Sequence, residues 1–418
     1  MNLLGLADRL ATSSPAVQVQ PARCVHALNG ASTCDACVRA CAFDALRLLP
    51  TITLDEKRCT ACGACLHVCP VDAVRGDDGV AKLLNLAPRF ETAQTVELAC
   101  ARHPGAEQGP ASSELVLRSG GCLAALGPSA YASLRALGFQ RILIRLDACA
   151  GCPLSAARPQ IEASLVSARN LLDAVEAASA LESVDAPAPD WTTRPVYAVN
   201  NPPVSRRSLF RLFAAEAPRV AARALLPVEA ETAETAQRPR ERRRLLNALQ
   251  RMMPPPLPLG EGSSREGAGV RTVSQGEKGL PFVHLDASEE CTACGTCARV
   301  CPTGALRFSL ADDNTSRLSF QAAACTDCGV CLDLCEPGAL SRQPVTDPGA
   351  ITAQASLTLR EGEVHVCEKC GARFAGAPGA TLCPPCDFRR RCVNEAAQGE
   401  EVRPLRASRG GAAGRQCR

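Results

Sequence analysis

A four-fold repeat of cysteine clusters constrains this chain more than any other feature of its sequence. In each copy, the last cysteine of a tight group is followed, four residues later, by an alanine and an aliphatic residue. The four copies are Cys41 with Ala45-Leu46, Cys69 with Ala73-Val74, Cys301 with Ala305-Leu306, and Cys335 with Ala339-Leu340. A short alternating segment precedes each group, so each repeat predicts a strand, a cysteine loop, a short helix and a strand. Two such units make one small domain, and the chain has two pairs.

The composition indicates that cysteine chemistry organises the protein. The chain has 418 residues, 26 of them cysteines, while aromatic residues account for only 3%. Because few aromatic side chains are available to fill large cores, some domains are expected to need metal or covalent links. The net charge of +3 points to no acidic partner, and we expect no binding of nucleic acid.

The N-terminal sequence bears on the compartment in which these cysteines work. It has no basic region followed by a sustained apolar run, so it does not resemble a signal peptide, and a secreted disulfide scaffold is disfavoured. A reducing cytoplasm leaves thiolates available for metals, and we expect a cytoplasmic location. No apolar run approaches the roughly 18 residues of a membrane helix. We therefore expect no transmembrane segment, and peripheral membrane association only through a partner.

One cysteine motif, C-x2-C-x2-C-x3-C-P, occurs twice without a change. Its members are Cys59, Cys62, Cys65 and Cys69, and then Cys291, Cys294, Cys297 and Cys301. Three thiolates at this spacing can bind three corners of one iron–sulfur cube, while the fourth serves the neighbouring cube. Zinc or disulfides are the alternative, since C-x2-C alone is shared by several site types, but four cysteines in this spacing argue against it.

The two regions resemble the bacterial-type ferredoxins that carry two 4Fe-4S clusters. The resemblance implies dicluster domains at residues 15–85 and 282–345 that transfer single electrons. The ligand sets that it implies are Cys291, Cys294 and Cys297 with Cys335; Cys325, Cys328 and Cys331 with Cys301; Cys59, Cys62 and Cys65 with Cys41; and Cys24, Cys34 and Cys37 with Cys69. Glu336-Pro337 departs from the family, which usually places proline directly after the cysteine.

The first dicluster domain is the less regular of the two. Cys34, Cys37 and Cys41 show C-x2-C-x3-C, and the expected first cysteine is displaced to Cys24 by an insertion of nine residues. If Cys24 is not a ligand, this cluster holds three irons or takes another ligand.

Residues 92–183 predict a small α/β domain with four cysteines. Apolar strands are expected at residues 114–117 and 141–146, and helices near residues 129–137 and 159–181. Cys100, Cys122, Cys149 and Cys152 lie near the ends of predicted strands, where loops converge on one side of a parallel sheet. Four thiolates placed in this way could hold an additional iron–sulfur cluster or a zinc ion.

Several alternatives for these four cysteines stay open. The run from Cys122 to Pro153 loosely resembles the delta subunit of viologen-reducing hydrogenases, which implies a 2Fe-2S cluster, although the final cysteine spacing differs. Cys149 and Cys152 could instead form a thiol redox pair, since C-x2-C at a strand end is also found in thioredoxin-like proteins. Buried structural cysteines are the third alternative. His103 is either a fifth ligand or, as is more usual for a lone histidine, solvated or hydrogen-bonded.

Residues 184–281 are rich in Pro, Ala, Glu and Arg and predict a mobile linker. Ser205 to Phe213 predicts an amphipathic helix within it. The arginine pair there resembles a twin-arginine export signal, but its position far from the N-terminus argues against that function. For Arg242, Arg243 and Arg244 a solvated linker is favoured over contact with nucleic acid or an acidic partner.

Residues 357–395 predict a four-cysteine zinc ribbon, followed by a disordered tail at residues 396–418. Its expected ligands are Cys367, Cys370, Cys383 and Cys386, arranged as two C-x2-C pairs. A rubredoxin-like iron site is the alternative, and the short spacer argues against it. Cys392 and Cys417 have no assigned role.

Together these motifs predict a multi-domain α+β protein with four 4Fe-4S clusters, one zinc ion and a candidate fifth cluster. The expected function is transfer of single electrons between a redox protein donor and a larger oxidoreductase, by analogy an anaerobic respiratory enzyme such as formate dehydrogenase. No nucleotide loop or hydrolase motif is present, so an electron-transfer subunit is favoured over an enzyme. The alternatives are a thiol or cluster-dependent reductase using Cys149 and Cys152, and an assembly scaffold for an oxidoreductase.

Overall fold

A computed structural model describes residues 17–30, 32–90, 92–175, 180–201, 238–253, 280–311, 314–345, 347–376 and 379–390. The chain divides into two compact units. The first unit comprises Met1–Pro21 and Ala36–Ser263, and the second comprises Ala22–Asp35 and Ser264–Arg418. The N-terminal cysteine region is therefore shared between units, because residues 22–35 group with the second.

The described residues combine short helices with parallel and antiparallel strands, as the sequence predicted for an α+β protein. The strands are β1 (Val17–Val19), β2 (Leu46–Leu48), β3 (Ile52–Leu54), β4 (Val74–Gly76), β5 (Thr95–Ala99), β6 (Gln108–Gly109), β7 (Leu115–Arg118), β8 (Arg141–Arg145), β9 (Leu181–Val184), β10 (Thr192–Thr193), β11 (Val196–Ala198), β12 (Val283–Ala287), β13 (Leu306–Leu310), β14 (Thr315–Phe320), β15 (Leu340–Pro344), β16 (Leu357–Val366) and β17 (Arg373–Gly376). The helices are α1 (Val25–Leu28), α2 (Ala36–Arg39), α3 (Cys65–Val68), α4 (Val80–Leu86), α5 (Pro128–Ala136), α6 (Arg158–Ala174), α7 (Arg240–Met252), α8 (Thr296–Arg299), α9 (Val330–Asp333) and α10 (Pro348–Thr352).

The predicted repeat of strand, cysteine loop, short helix and strand is confirmed. In the first unit β1 pairs antiparallel with β4, and β2 pairs antiparallel with β3. In the second unit β12 pairs with β15, and β13 pairs with β14. The alanine of each repeat is at most 3% exposed in all four copies, because it lies where the returning strand begins beneath the cysteine loop.

The first unit also contains a five-stranded parallel sheet in the order β11-β7-β5-β8-β9. The three central strands, β5, β7 and β8, are mostly buried, as is usual for parallel sheets with both faces covered, whereas the edge strands β9 and β11 are partly exposed. Val96, Leu98 and Ile144 in the strands pack into one core with Tyr131 of α5 and Leu165 of α6. The strands and helices expected in this α/β region are therefore present, although α6 ends at Ala174, before the predicted end at residue 181.

Part of the predicted linker is ordered, which corrects the expectation of a mobile segment from residue 184 onward. β10 pairs with β6, and β11 forms the edge of the parallel sheet. α7 buries Leu245, Leu246 and Leu249 and packs on α5, and Arg242 beside them is only 7% exposed. The arginine run was misread because its apolar partners follow it at helical spacing and anchor it to the fold. The amphipathic helix predicted at residues 205–213 lies outside the described residues.

The second unit is built around a four-stranded antiparallel sheet in the order β13-β14-β16-β17. β16 pairs with β14, so the hairpin predicted to be part of a separate ribbon continues the sheet of the second dicluster region. Leu306, Leu318 and Phe320 form its apolar core beneath the cysteines. Asp347 accepts a hydrogen bond from the backbone N–H of Gly349 and caps α10 before the chain enters β16.

Residues 22–35 are held to the second unit through the end of α9. The backbone N–H of Thr33 donates to Asp333 at 2.9 Å, and the Thr33 hydroxyl donates to the same carboxylate at 3.0 Å. Within the segment, Cys24 is the N-cap residue of α1 and Val25 is buried. None of the helices in the described part of the chain is long and apolar enough to cross a membrane.

Candidate metal centres

Left-handed backbone positions shape three of the four cysteine loops. They occur at the residue before the second cysteine and at the glycine after it. The positions and their φ angles are Ala61 (56°) and Gly63 (80°), Ala293 (52°) and Gly295 (69°), and Asp327 (55°) and Gly329 (77°). These turns bring the three cysteines of each motif around a common centre and turn backbone N–H groups toward it.

A second left-handed position lies three residues after the closing cysteine in all four copies. It is occupied by Asp44 and Asp72 in the first pair and by Gly304 and Gly338 in the second. In the first pair the next residue donates its backbone N–H to the cysteine sulfur, from Ala45 to Cys41 Sγ at 3.3 Å and from Ala73 to Cys69 Sγ at 3.2 Å. Such hydrogen bonds stabilise negative charge on sulfur. The left-handed residue before the repeated alanine thus forms this turn, which the sequence repeat alone did not reveal.

The structure brings together Cys41, Cys59, Cys62 and Cys65 around one cavity of the first unit. Burial, and then repulsion from the thiolates of Cys62, Cys41 and Cys59, raises the pKa of Cys65 well above its ordinary value. Four thiolates in this space repel one another unless cations lie between them, which is the environment that iron ions neutralise.

The second unit brings together two further predicted sets. Cys301, Cys325, Cys328 and Cys331 line one cavity, and burial followed by mutual repulsion raises the pKa of Cys328 to about 12. Around Cys297, burial and then the thiolates of Cys294, Cys291 and Cys335 raise its pKa to about 12. In each case the neighbours are the three cysteines of one motif and the closing cysteine of the other.

The remaining predicted set, Cys24, Cys34, Cys37 and Cys69, is the irregular one. Cys24 and Cys34 lie in the segment that groups with the second unit, whereas Cys37 and Cys69 lie in the first. Asp35 and Ala36, between Cys34 and Cys37, lack the left-handed φ angle that the corresponding residue Gly63 has in the regular loop. That Cys24 is a ligand stays a prediction.

Cys100, Cys122, Cys149 and Cys152 converge at the carboxyl ends of the parallel strands and line one cavity. They follow β5, β7 and β8, so the topology of the sheet brings loops distant in sequence to the same edge. Burial and then repulsion from neighbouring thiolates, Cys100 first, raise the pKa of Cys149 to about 11. Burial, and then repulsion from the thiolates of Cys100, Cys62 and Cys149, likewise raises the pKa of Cys122 to about 11.

His103 lies at this site but not as a free ligand. Its Nδ1 atom is 2.8 Å from the Pro104 carbonyl oxygen, and its Nε2 atom is 3.2 Å from Asp147. Both ring nitrogens are therefore engaged, which supports the hydrogen-bonded role for this histidine. Asp147 in turn accepts hydrogen bonds from Arg145 at 2.8 and 3.0 Å. Although burial opposes it, the hydrogen bonds from His103 and Arg145 hold the pKa of Asp147 well below its ordinary value.

Beneath this site lies a buried ionic network that the sequence did not reveal. Arg145 donates to Glu97 at 2.7 Å, and neither side chain is exposed to solvent. Arg194, from the segment predicted to be a linker, and Ser113 also donate to Glu97. Glu97 and Arg145 lie in strands that are otherwise mostly apolar, and Arg194 lies between β10 and β11, so only their pairing in three dimensions explains their burial. The network fixes the strand ends from which the cysteine loops leave.

The C-terminal cysteines form the most compact set. The Sγ atoms of Cys367, Cys370, Cys383 and Cys386 all lie within 4.8 Å of one another, with 3.7 Å between Cys370 and Cys383. Among the described residues, no other group of three or more potential ligands is so tight. A single tetrahedral ion requires close sulfurs, whereas a cluster of several irons requires wider spacing. None of the 24 cysteines in the described part of the chain forms a disulfide bond. Cys392 and Cys417 lie outside it.

Comparison with known proteins agrees with the cysteine geometry in two regions. The family model described as a 4Fe-4S dicluster domain matches residues 32–73 and 290–339. Cys24 lies outside the first match, and the α/β region and the C-terminal four-cysteine set lie outside both. A comparison with curated proteins returned no match. The matched regions are thus 4Fe-4S dicluster regions, with the iron–sulfur electron-transfer role that such domains have.

Proposed function

We propose that the protein is a soluble multi-cluster carrier that moves single electrons from a redox protein donor to a larger oxidoreductase. The observation that carries this proposal is the grouping of cysteines into sets too crowded for bare thiolates yet wider than a single-ion site. Iron–sulfur cubes fit both conditions, and each supplies one-electron oxidation and reduction when bound. The cysteines hold these cubes, and the surrounding apolar residues exclude water from them.

In this proposal the C-terminal set has a structural role. Its compact sulfurs suit zinc, which does not change oxidation state, and β16 connects it to the sheet of the second dicluster region. We further propose a cytoplasmic location, since a reducing compartment keeps the thiols available. The acceptor is proposed to be an anaerobic respiratory enzyme of the formate dehydrogenase kind, an inference from domain combination alone.

A thiol reductase at Cys149 and Cys152 ranks second. Such an enzyme needs a thiolate nucleophile with a lowered pKa, and the pKa of Cys149 is raised instead, chiefly by burial. A scaffold role ranks third, because the match of two regions to a 4Fe-4S dicluster domain favours electron transfer.

Reductive titration followed by low-temperature electron paramagnetic resonance (EPR) tests the proposal. An electron carrier gives signals of reduced 4Fe-4S clusters at low potential, and these signals disappear reversibly when an acceptor is added. A protein purified anaerobically that gives no such signal at any potential would not be an electron carrier. Thiol turnover lost in Cys149→Ser, with all clusters still reducible, would move the reductase to first place.

A further inference from the structure

The cysteine loop of the first dicluster region packs directly on the turn that carries Cys122. A Cβ added at Gly63 would lie 2.6 Å from Cβ and 3.2 Å from Cα of Ala125, so the two backbones meet without a side chain between them. Ala125 ends the 3-10 turn Leu123–Ala125, for which Cys122 is the N-cap residue. Only a glycine allows this approach, because Gly63 also has a φ of 80°.

The contact is part of a continuous dry interior. Cys62 and Ala64, on either side of Gly63, belong to the same buried apolar cluster as Leu123 and Ala124 of the turn. Cys100, Cys122, Cys149 and Cys152 pack against that cluster from their own side. His67, one turn into α3, is buried and hydrogen-bonds with the backbone of Ala124. Cys62 is also close enough for its charge to act on the Cys122 thiol.

We propose that the site of Cys41, Cys59, Cys62 and Cys65 is the direct electron donor to a cluster held by Cys100, Cys122, Cys149 and Cys152, through the contact of Gly63 with Ala125. This proposal rests on the proposed electron-transfer function and names its internal acceptor. With clusters bound, Cys41, Cys59, Cys62 and Cys65 would hold the cube that gives up one electron and is oxidised, and Cys100, Cys122, Cys149 and Cys152 would hold the cluster that accepts this electron and is reduced. No bond forms or breaks, and no proton needs to be transferred.

The packing favours this transfer for two reasons. Electron tunnelling weakens steeply with distance, and the backbone contact at Gly63 removes the spacing that a side chain would add. Buried apolar surroundings also leave little water to reorganise when charge moves. The α/β domain is thus the acceptor built into this chain, and its four-cysteine site is the point from which electrons leave this part of the protein.

Paired cysteine variants of the full chain test the proposal by a spectroscopic readout. Cys65 and Cys331 are equivalent third cysteines of two motifs, so each serine substitution removes one cube. In the fully reduced wild-type protein we expect the EPR signal of the four-cysteine site to be split or to relax faster because of its reduced neighbour. Cys65→Ser should abolish that effect, and Cys331→Ser should leave it intact. A wild-type signal free of any such interaction, or an interaction that survives in Cys65→Ser, would overturn the proposal.

A pair of glycine variants keeps the test valid if Cys65→Ser does not fold. Gly63 and Gly329 have φ angles of 80° and 77°, but an added Cβ at Gly329 would meet nothing within 4 Å. Both alanine variants carry the same backbone strain, and only Gly63→Ala also pushes against Ala125. We expect Gly63→Ala to slow reduction of the four-cysteine site several-fold relative to Gly329→Ala in freeze-quench experiments, when both rates are normalised to the iron that each variant binds. Equal rates in the two variants would contradict the proposal.

Iron content separates failure of this inference from failure of the proposed function. If Cys149→Ser retains all the iron of the wild-type protein, the four-cysteine site holds no cluster, and the inference is wrong while the ferredoxin-type clusters stand. If the wild-type protein holds almost no iron, both fail.

Discussion

At the scale of single residues, the protein depends on positions that place sulfur atoms and on positions that neutralise buried charge. The left-handed residues Asp44, Asp72, Gly304 and Gly338 belong to the first group, because they turn the chain back beneath the closing cysteine. Glu97 and Glu241 belong to the second, since Glu97 is fully buried and Glu241 half-buried, and both carboxyl groups accept hydrogen bonds from donors around them.

The first prediction concerns a single cluster ligand. Cys331 lies among Cys301, Cys325 and Cys328, and its substitution by serine removes one thiolate from that set. We expect Cys331→Ser to lose up to about four irons per chain, the content of one cube, by elemental analysis after anaerobic purification. Cys417→Ser is the matched control, because Cys417 belongs to no predicted set, and its iron content should equal that of the wild-type protein. Equal iron in both variants would exclude Cys331 as a ligand.

The second prediction concerns the pH dependence of Glu241. Its carboxylate accepts hydrogen bonds from the Ser129 backbone N–H at 2.7 Å and hydroxyl at 2.6 Å, and so caps α5. Burial, partly opposed by Ser129, raises the pKa of Glu241 above its ordinary 4.5. The folded protein therefore keeps this proton to higher pH than the unfolded chain does, so this group makes the free energy of unfolding fall as pH rises above 4.5.

Chemical denaturation of the wild-type protein and of Glu241→Gln, at several pH values from 5 upward, measures this effect. The glutamine keeps the shape and an acceptor oxygen but does not titrate. The stability of the wild-type protein relative to this variant should fall with rising pH and level off above the folded pKa. If the stability of the wild-type protein relative to Glu241→Gln rises with pH instead, the hydrogen bonds from Ser129 lower the pKa of Glu241 by more than burial raises it.

At the scale of elements, α7 and β16 connect parts of the chain that the sequence separated. α7 packs on α5, and Arg244 at its first turns donates to Asp78 at 2.5 Å. Arg240, at the start of α7, donates its backbone N–H to the Asp72 carboxylate at 2.9 Å and its guanidinium N–H to the Gly76 carbonyl at 2.8 Å. Within the first unit, this helix thereby links the end of the dicluster region to the α/β domain.

The third prediction follows from the pairing of Arg244 with Asp78. Asp78 is only 7% exposed, and its carboxylate also accepts the backbone N–H of Val80 at 3.0 Å at the start of α4. Arg244→Ala leaves this buried charge with the Val80 N–H and the more distant Arg240 guanidinium, 3.9 Å away, so we expect a loss of about 1–3 kcal/mol in the free energy of unfolding. Arg243→Ala, on the exposed side of the same helix, should change it by less than about 0.5 kcal/mol. Equal losses of stability in the two variants would show that the total charge of α7, and not the pairing of Arg244 with Asp78, stabilises the fold.

The fourth prediction concerns the metal at the C-terminal cysteines. Cys367, Cys383 and Cys386 are themselves most of the small buried cluster there, with Phe374 and Leu382 packed against them. Removal of the metal leaves no other core for this part of the chain, so we expect the β16–β17 pair to open. Hydrogen exchange after chelation should speed up at the amide of Cys367, which donates to the Ala372 carbonyl across that pair at 3.0 Å. The amides of Ala311 and Gln321, which donate across the β13–β14 pair to Thr315 and Ala305 at 2.8 Å each, are the internal control and should stay protected.

At the scale of the whole molecule, what the sequence could predict follows from how local each signal is. The cysteine spacing is local, so the dicluster regions and the repeat of strand, loop and helix could be read directly. The convergence of Cys100, Cys122 and Cys149 could also be anticipated, because parallel strands present their carboxyl ends at one edge. In contrast, the partners of Glu97, the packing of α7 and the junction of Gly63 with Ala125 join residues distant in sequence. No periodicity or spacing records such pairings, so they required the three-dimensional structure.

The central claim is that most of the cysteines hold iron in clusters that carry electrons. Iron, acid-labile sulfide and zinc per chain, measured on anaerobically purified protein beside an EPR-monitored reductive titration, test it most directly. The account predicts about sixteen irons from four cubes, further iron from the α/β domain, an equal amount of sulfide in the cubes, and about one zinc. Little iron together with several zincs, and no reducible paramagnetic centre, would contradict it and favour a structural scaffold.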